Sequence, residues 1–86
     1  MKTHTIKILE DFTDAVLSGD KTFEILENDR GYQKGDCVRF VVVDKSGVKV
    51  KHPLSGNNFA YEITYVINGW GLKEGYVVFG IRRMNE

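Results

Sequence analysis

Ser18-Gly19-Asp20-Lys21-Thr22-Phe23-Glu24-Ile25-Leu26-Glu27-Asn28-Asp29-Arg30 reads as the end of a short helix, a glycine turn and then a strand. The strand carries an ammonium, Lys21, and a carboxylate, Glu24, within four residues. Phe23 and Ile25 share one face and are expected to feed the core, with Glu24 and Leu26 on the other face. Lys21 and Glu24 point to opposite sides of a regular strand. They can share a cleft only if the turn after Gly19 rotates Lys21 inward. The bland alternative is an exposed salt bridge at a strand end, worth at most about 1 kcal/mol.

Upstream, His4-Thr5-Ile6-Lys7-Ile8-Leu9 alternates, with Ile6 and Ile8 on one face, and predicts a first strand. Asp11 can cap the helix that follows. Phe12, Ala15, Val16 and Gly19 fall on one helical face, so Phe12 and Val16 are expected to dock it. Gly19 ends it in the left-handed conformation. Downstream, Tyr32–Asp36 is a turn, and Cys37–Val43 is a strand apolar enough to be covered on both faces. Asp44-Lys45-Ser46-Gly47 turns the chain back into Val48–Lys51 as a hairpin partner. His52–Asn58 reads as an exposed loop, with His52 in solvent. Phe59–Ile67 alternates without a break, 68–75 is a glycine-rich loop, and Tyr76–Arg82 is the last strand. The sum is an α+β, mainly β, single domain over residues 1–86. It has about six strands and one short helix after the first strand, and a closed or nearly closed β-barrel would remove its exposed edges.

Eighty-six residues with equal numbers of acidic and basic side chains make one modest core and no overall polyanion-binding charge. Residues 1–30 carry net −3 and residues 31–60 net +3. A basic face from the second block is one reading, and charge scattered over a solvated surface is the other. A single cysteine, Cys37, excludes an internal disulfide and reads as a small buried hydrophobe. Two separated histidines, His4 and His52, make no metal site, and no cofactor motif is present. No apolar run is long enough to span a bilayer, and the start shows no signal-peptide core. A cytoplasmic protein is the simplest expectation.

Gly19-x-Lys21-x-x-Glu24 resembles the motif of the ASCH domain, a member of the PUA-like barrel superfamily. The chain also resembles a small bacterial and phage group of PUA-like proteins described as having an RNA-binding motif. That resemblance rests on His4-x-x-Lys7, Gly19–Ile25, Asn28-Asp29-Arg30, Gly35-Asp36 and Gly71-Leu72-x-x-Gly75-Tyr76-Val77-Val78. It implies a PUA-like barrel with a cleft between the helix and the strand bearing Glu24, where RNA or a nucleotide would bind. Leu26 stands where the ASCH motif has Arg, which removes a guanidinium able to fork onto a phosphate. Arg30 can replace it from the next turn.

On this reading Lys21, Glu24 and Arg30 form the centre of an RNA- or nucleotide-binding cleft. His4 and Lys7 add to its rim, and Trp70, between two glycines, stacks on a base. Otherwise Trp70 is a lid over one open end. Some small relatives implied by the resemblance look like amidohydrolases that deacylate nucleosides such as N4-acetylcytidine with a Lys, a Thr and a Glu. Lys21 and Glu24 match two of these, and Thr22 is the threonine beside them. A lysine in a dry cleft can then act as nucleophile or base. A third reading is a non-enzymatic partner-binding domain. Arg30, Lys34, Arg39, Lys73, Arg82 and Arg83 are the candidate phosphate contacts. Sequence assigns no oligomeric state.

Overall fold

The computed structural model describes residues 1–84. It contains β1 (Thr3–Leu9), α1 (Glu10–Ser18), β2 (Phe23–Glu27), β3 (Cys37–Val43), a 3-10 turn (Pro53–Ser55), β4 (Tyr61–Asn68) and β5 (Tyr76–Arg83). The strands form one sheet in the order β1-β3-β4-β5-β2. β1 and β3 are parallel, with Ile6 opposite Phe40 and Ile8 opposite Val42, and the other pairs are antiparallel. Ile6, Ile8, Val38, Phe40, Val42, Ile63, Val77, Phe79 and Ile81 line the buried face. The mainly β, α+β reading therefore holds. The six-strand closed barrel does not: among the described residues there are five strands, and no ladder joins β1 to β2.

The missing sixth strand is the expected hairpin arm at 48–51. Asp44 builds the turn as expected, its Oδ1 accepting from the N–H groups of Ser46 and Val48. The returning arm then makes only one bridge, Val43 to Lys49, with Val50 N–H donating to the Val42 carbonyl. Pro53, which has no N–H to donate, ends it. The next segment replaces a strand by other means. His52 Nδ1 accepts from Leu54 N–H, Ser55 Oγ accepts from Val42 N–H at 2.9 Å, and Leu54 is completely buried. The stretch expected as a loose loop is thus a plug on β3.

β4 departs from its unbroken alternation. A bulge between Ile63 and Tyr65 shifts the register, so Ile63 is buried while Tyr65 is 64 % exposed and Val66 turns back to the core. A bulge bends a strand and strengthens its twist. Gly80 sits against it, and a Cβ there would lie 2.5 Å from Thr64 Oγ1. Only glycine permits that approach.

α1 follows β1 without an intervening turn, and no side chain caps it, so Asp11 lies in its first turn and not at the cap. Because β1 sets where the helix starts, the inward face is Thr13 and Val16, with Leu17 packed beside them. Phe12 faces outward and is 46 % exposed. Gly19 takes φ +86° at the C-terminal end, as its sequence position suggested.

Side chains do the joining that a β1–β2 ladder would do. Tyr32, in the loop between β2 and β3, is buried with its ring 4.7 Å from His4 of β1 and 5.0 Å from Phe79 of β5. Arg30 donates to the Thr5 carbonyl on the β1 edge. Beneath Tyr32, His4 Nε2 meets Asp36 Oδ2 at 2.8 Å, and Asp36 also accepts from the N–H groups of Lys2 and Gln33. Both His4 and Asp36 are buried. Removing one partner of such a pair strands the other, at a cost of about 3 kcal/mol.

Asp36→Ala should accordingly lower the unfolding free energy by about 3 kcal/mol in urea denaturation. The hydrogen bond from His4 is the main reason the Asp36 carboxyl titrates below its ordinary 3.8. The unfolded chain therefore binds this proton first as pH falls. Stability from Asp36 is complete above 3.8 and is lost below it, through the folded value. Asp36→Asn should flatten the stability–pH curve in that acid window; an unchanged curve would mean that Asp36 is not the titrating fastener.

Candidate functional site

β2 presents the reverse of its expected faces. Glu24 is buried at 6 % exposure and Leu26 half-buried, while Phe23 and Ile25 are 42 % and 54 % exposed. The strand thus turns its carboxylate inward and two apolar side chains out. Lys21 makes this tenable. Its ammonium donates to the Glu24 carboxylate and, at 2.8 Å, to the Phe23 carbonyl. Lys21 N–H donates to the Ala15 carbonyl, which swings the side chain back across the start of β2. The ammonium lies 5.5 Å from the centroid of Phe12 and 5.0 Å from that of Phe23, within cation–π range of both. Burial raises the Glu24 pKa above its ordinary 4.5, and the hydrogen bond and charge of Lys21 pull it partly back.

Two cavities lie at the two ends of β2. The larger, about 710 Å³, lies between the β1 and β2 edges and is lined by Lys7, Leu26, Arg30, Tyr32, Lys49 and Tyr76 among others. Its volume is in the range of small-molecule sites. Leu26 follows Glu24 on the inward face, about 7 Å along the strand. The smaller cavity, about 250 Å³, lies where α1 ends and β2 begins and is lined by Lys21 and Thr22 together with residues of β4 and β5.

The predicted site residues are therefore divided. Lys7 and Arg30 come together at the large cleft, and Lys21, Thr22 and Glu24 form a separate group at the other end of β2. His4 is not on a rim; it is buried under Tyr32. Trp70 is 90 % exposed with φ +53° and covers nothing, which rules out the lid. Its loop adjoins the large cleft through Tyr76, which also lines a third hollow beneath that loop.

Tyr32 is the cleft residue to which sequence reasoning gave no role. Its hydroxyl has no hydrogen-bond partner among the described residues, yet no buried side-chain polar atom is left unsatisfied. The hydroxyl of this buried residue therefore reaches accessible space, and that space is the cleft it lines. Burial raises the Tyr32 pKa, so it remains a phenol able to donate at neutral pH. A lone aromatic in the polar stretch Asn28–Lys34 was the available signal.

Because the folded Glu24 holds its proton to higher pH than the unfolded chain, its contribution to stability is present below 4.5 and lost as pH rises through the folded value. Glu24→Gln should remove that decline in chemical-denaturation curves. Lys21→Met, which leaves the carboxylate buried without its cation, should destabilise the fold by about 2–4 kcal/mol above that window. An equal loss below it, where the carboxyl is neutral, would refute the pairing account.

The model of a domain of unknown function, DUF3850, matches residues 3–81. No curated protein matches the chain. The match takes in β1 to β4, β5 up to Ile81 and the lining of the large cleft, while Arg82 and Arg83 of the smaller cavity lie beyond it, and the chain belongs to the DUF3850 family.

Proposed function

We propose that this domain binds RNA or a nucleotide, with the large cleft between the β1 and β2 edges as its principal site. The observation that carries the reading is the lining of that cleft. Lys7, Arg30 and Lys49 converge on it with the Tyr32 phenol and the Tyr76 ring. Such a set offers cations to a phosphate, a donor to its oxygens and aromatic surface to a base. Glu27 and Asp29 also line it and give acceptors for an exocyclic amine. Exposed Trp70 on the adjoining loop supplies a further stacking surface. The resemblance of Gly19–Glu24 to the ASCH motif points the same way, though the cleft favoured here lies beyond Leu26 and not between helix and strand.

A second reading is an amidohydrolase acting on an acylated nucleoside such as N4-acetylcytidine, with Lys21, Glu24 and Thr22 as its machinery. It is favoured by the desolvated Glu24 held against Lys21, since desolvated carboxyls with a specific charge partner mark many catalytic sites. Against it, the Lys21 ammonium is already tied to two acceptors.

Fluorescence anisotropy with a short labelled single-stranded RNA at physiological salt separates these readings. Lys7→Gln alters an exposed side chain, so it should weaken binding and lower the slope of log K against log salt by about 0.7. Arg30→Gln should weaken it at least as much. Equal affinity of wild type and both variants would remove the cleft as the site. Turnover of N4-acetylcytidine that vanishes in Lys21→Ala would establish the enzyme reading instead.

A further inference from the structure

The smaller cavity has a composition that the cleft reading does not use. Lys21, Arg82 and Arg83 border it, and among the described residues no carboxylate does. Lys21 and Arg82 are paired behind it, with Glu24 and Glu62 respectively. Arg83 forms no ion pair or hydrogen bond among the described residues; its guanidinium lies 4.4 Å from the Phe59 centroid, a contact that consumes none of its donors. Tyr61 lines the same cavity at 4 % exposure. Its hydroxyl, like that of Tyr32, has no partner among the described residues and is not a sealed orphan, so it opens into the cavity. A phenol and a guanidinium that take no hydrogen-bond partner among the described residues, side by side on one cavity, are an arrangement for holding an oxyanion. The end of α1 is the negative pole of the helix, but Lys21 N–H and Gly19 N–H cap the Ala15 and Val16 carbonyls there.

We propose that this cavity binds a phosphate group, held by the Tyr61 hydroxyl and the Arg83 guanidinium with Arg82 and Lys21 at its rim. About 250 Å³ accommodates a phosphate with its bound waters and is small for a whole nucleotide. The cavity therefore reads a terminal phosphate monoester, with the rest of the ligand outside it. This site is independent of the large cleft, since the two share no lining residue.

The test is an NMR titration of the full chain at constant ionic strength with inorganic phosphate, acetate, a nucleoside monophosphate and the parent nucleoside. The backbone amides of Gly19, Thr22 and Tyr61 and the side-chain N–H of Arg83 are followed. Phosphate and the monophosphate should give saturable shifts at these positions, and acetate and the nucleoside should not. Tyr61→Phe keeps the ring on Phe40 and should weaken binding about tenfold, the value of one hydrogen bond to a charged group. Arg83→Gln, on the surface, should abolish saturation with the fold intact. Arg30→Gln should leave the shifts unchanged even where it lowers RNA affinity, so the two sites fail separately. Shifts that are alike for phosphate and acetate, or alike in wild type and Arg83→Gln, would overturn the proposal.

Discussion

An open five-stranded sheet must deal with two edges that have no strand to pair with, and here that constraint shapes everything else. An unpaired edge invites association with other strands. Instead of a ladder, the chain draws β1 and β5 together through Tyr32, stacked between His4 and Phe79, and lets Arg30 occupy a β1 carbonyl. Side chains bridge a wider gap than backbone hydrogen bonds, which hold strands within about 5 Å. A cleft therefore remains between the edges. Its phenol and one of its cations, Arg30, come from the residues that do the bridging.

The same economy governs β2. An edge strand with one neighbour can place a carboxylate inward only if a cation follows it into low dielectric. Lys21 is that cation, and the turn at Gly19 brings it there. Phe12 and Phe23, left outside, shield the ammonium from water. Helix, turn and strand thus act as one unit whose polar centre is buried and whose apolar side chains are exposed, the reverse of the usual arrangement. Such reversals concentrate where a fold serves a ligand and not only its own stability.

Much of the fold was legible because it depends on local periodicity. The inward side chains of β1, the left-handed Gly19 and the apolar β3 follow from spacing alone. What could not be read depends on contacts between distant segments. Alternation fixes that Phe23 and Ile25 share a face but not which face is inside, and Lys21 decides that. The bulge after Ile63 leaves no trace in an alternating β4, because its cause is the bend of the sheet against Gly80, sixteen positions after Thr64. The hairpin arm failed as a strand because Leu54 and Ser55 satisfy β3 more fully than a second Val-Lys pair would. Of the candidate site, the sequence named Lys7, Arg30, Lys21 and Glu24 but not their separation into two groups. Tyr32 and Tyr61 sat in patterns that make any aromatic look like wall.

Charge shows the same limit in another form. The basic block at 31–60 left a basic face and scattered surface charge as the two readings, and folding disperses it. Arg39 donates to the Asn57 carbonyl, Lys45 approaches Asp11 of α1, and of the block's cations only Lys49 reaches the large cleft. The two cationic sites are assembled from elsewhere: Lys7 and Arg30 from the acidic first third, and Lys21 with Arg82 and Arg83 from opposite ends of the chain. β2 is what brings them into register. It pairs with β5 so that Phe23 meets Gly80 and Glu27 meets Tyr76, and this sets one cationic site at each end of the strand. Five strand residues span about 17 Å, so a ligand engaging both sites must have more than one charged group. The equal totals of acidic and basic side chains therefore hide two local groups of cations, whose spacing is set by the strand pairing and not by their number.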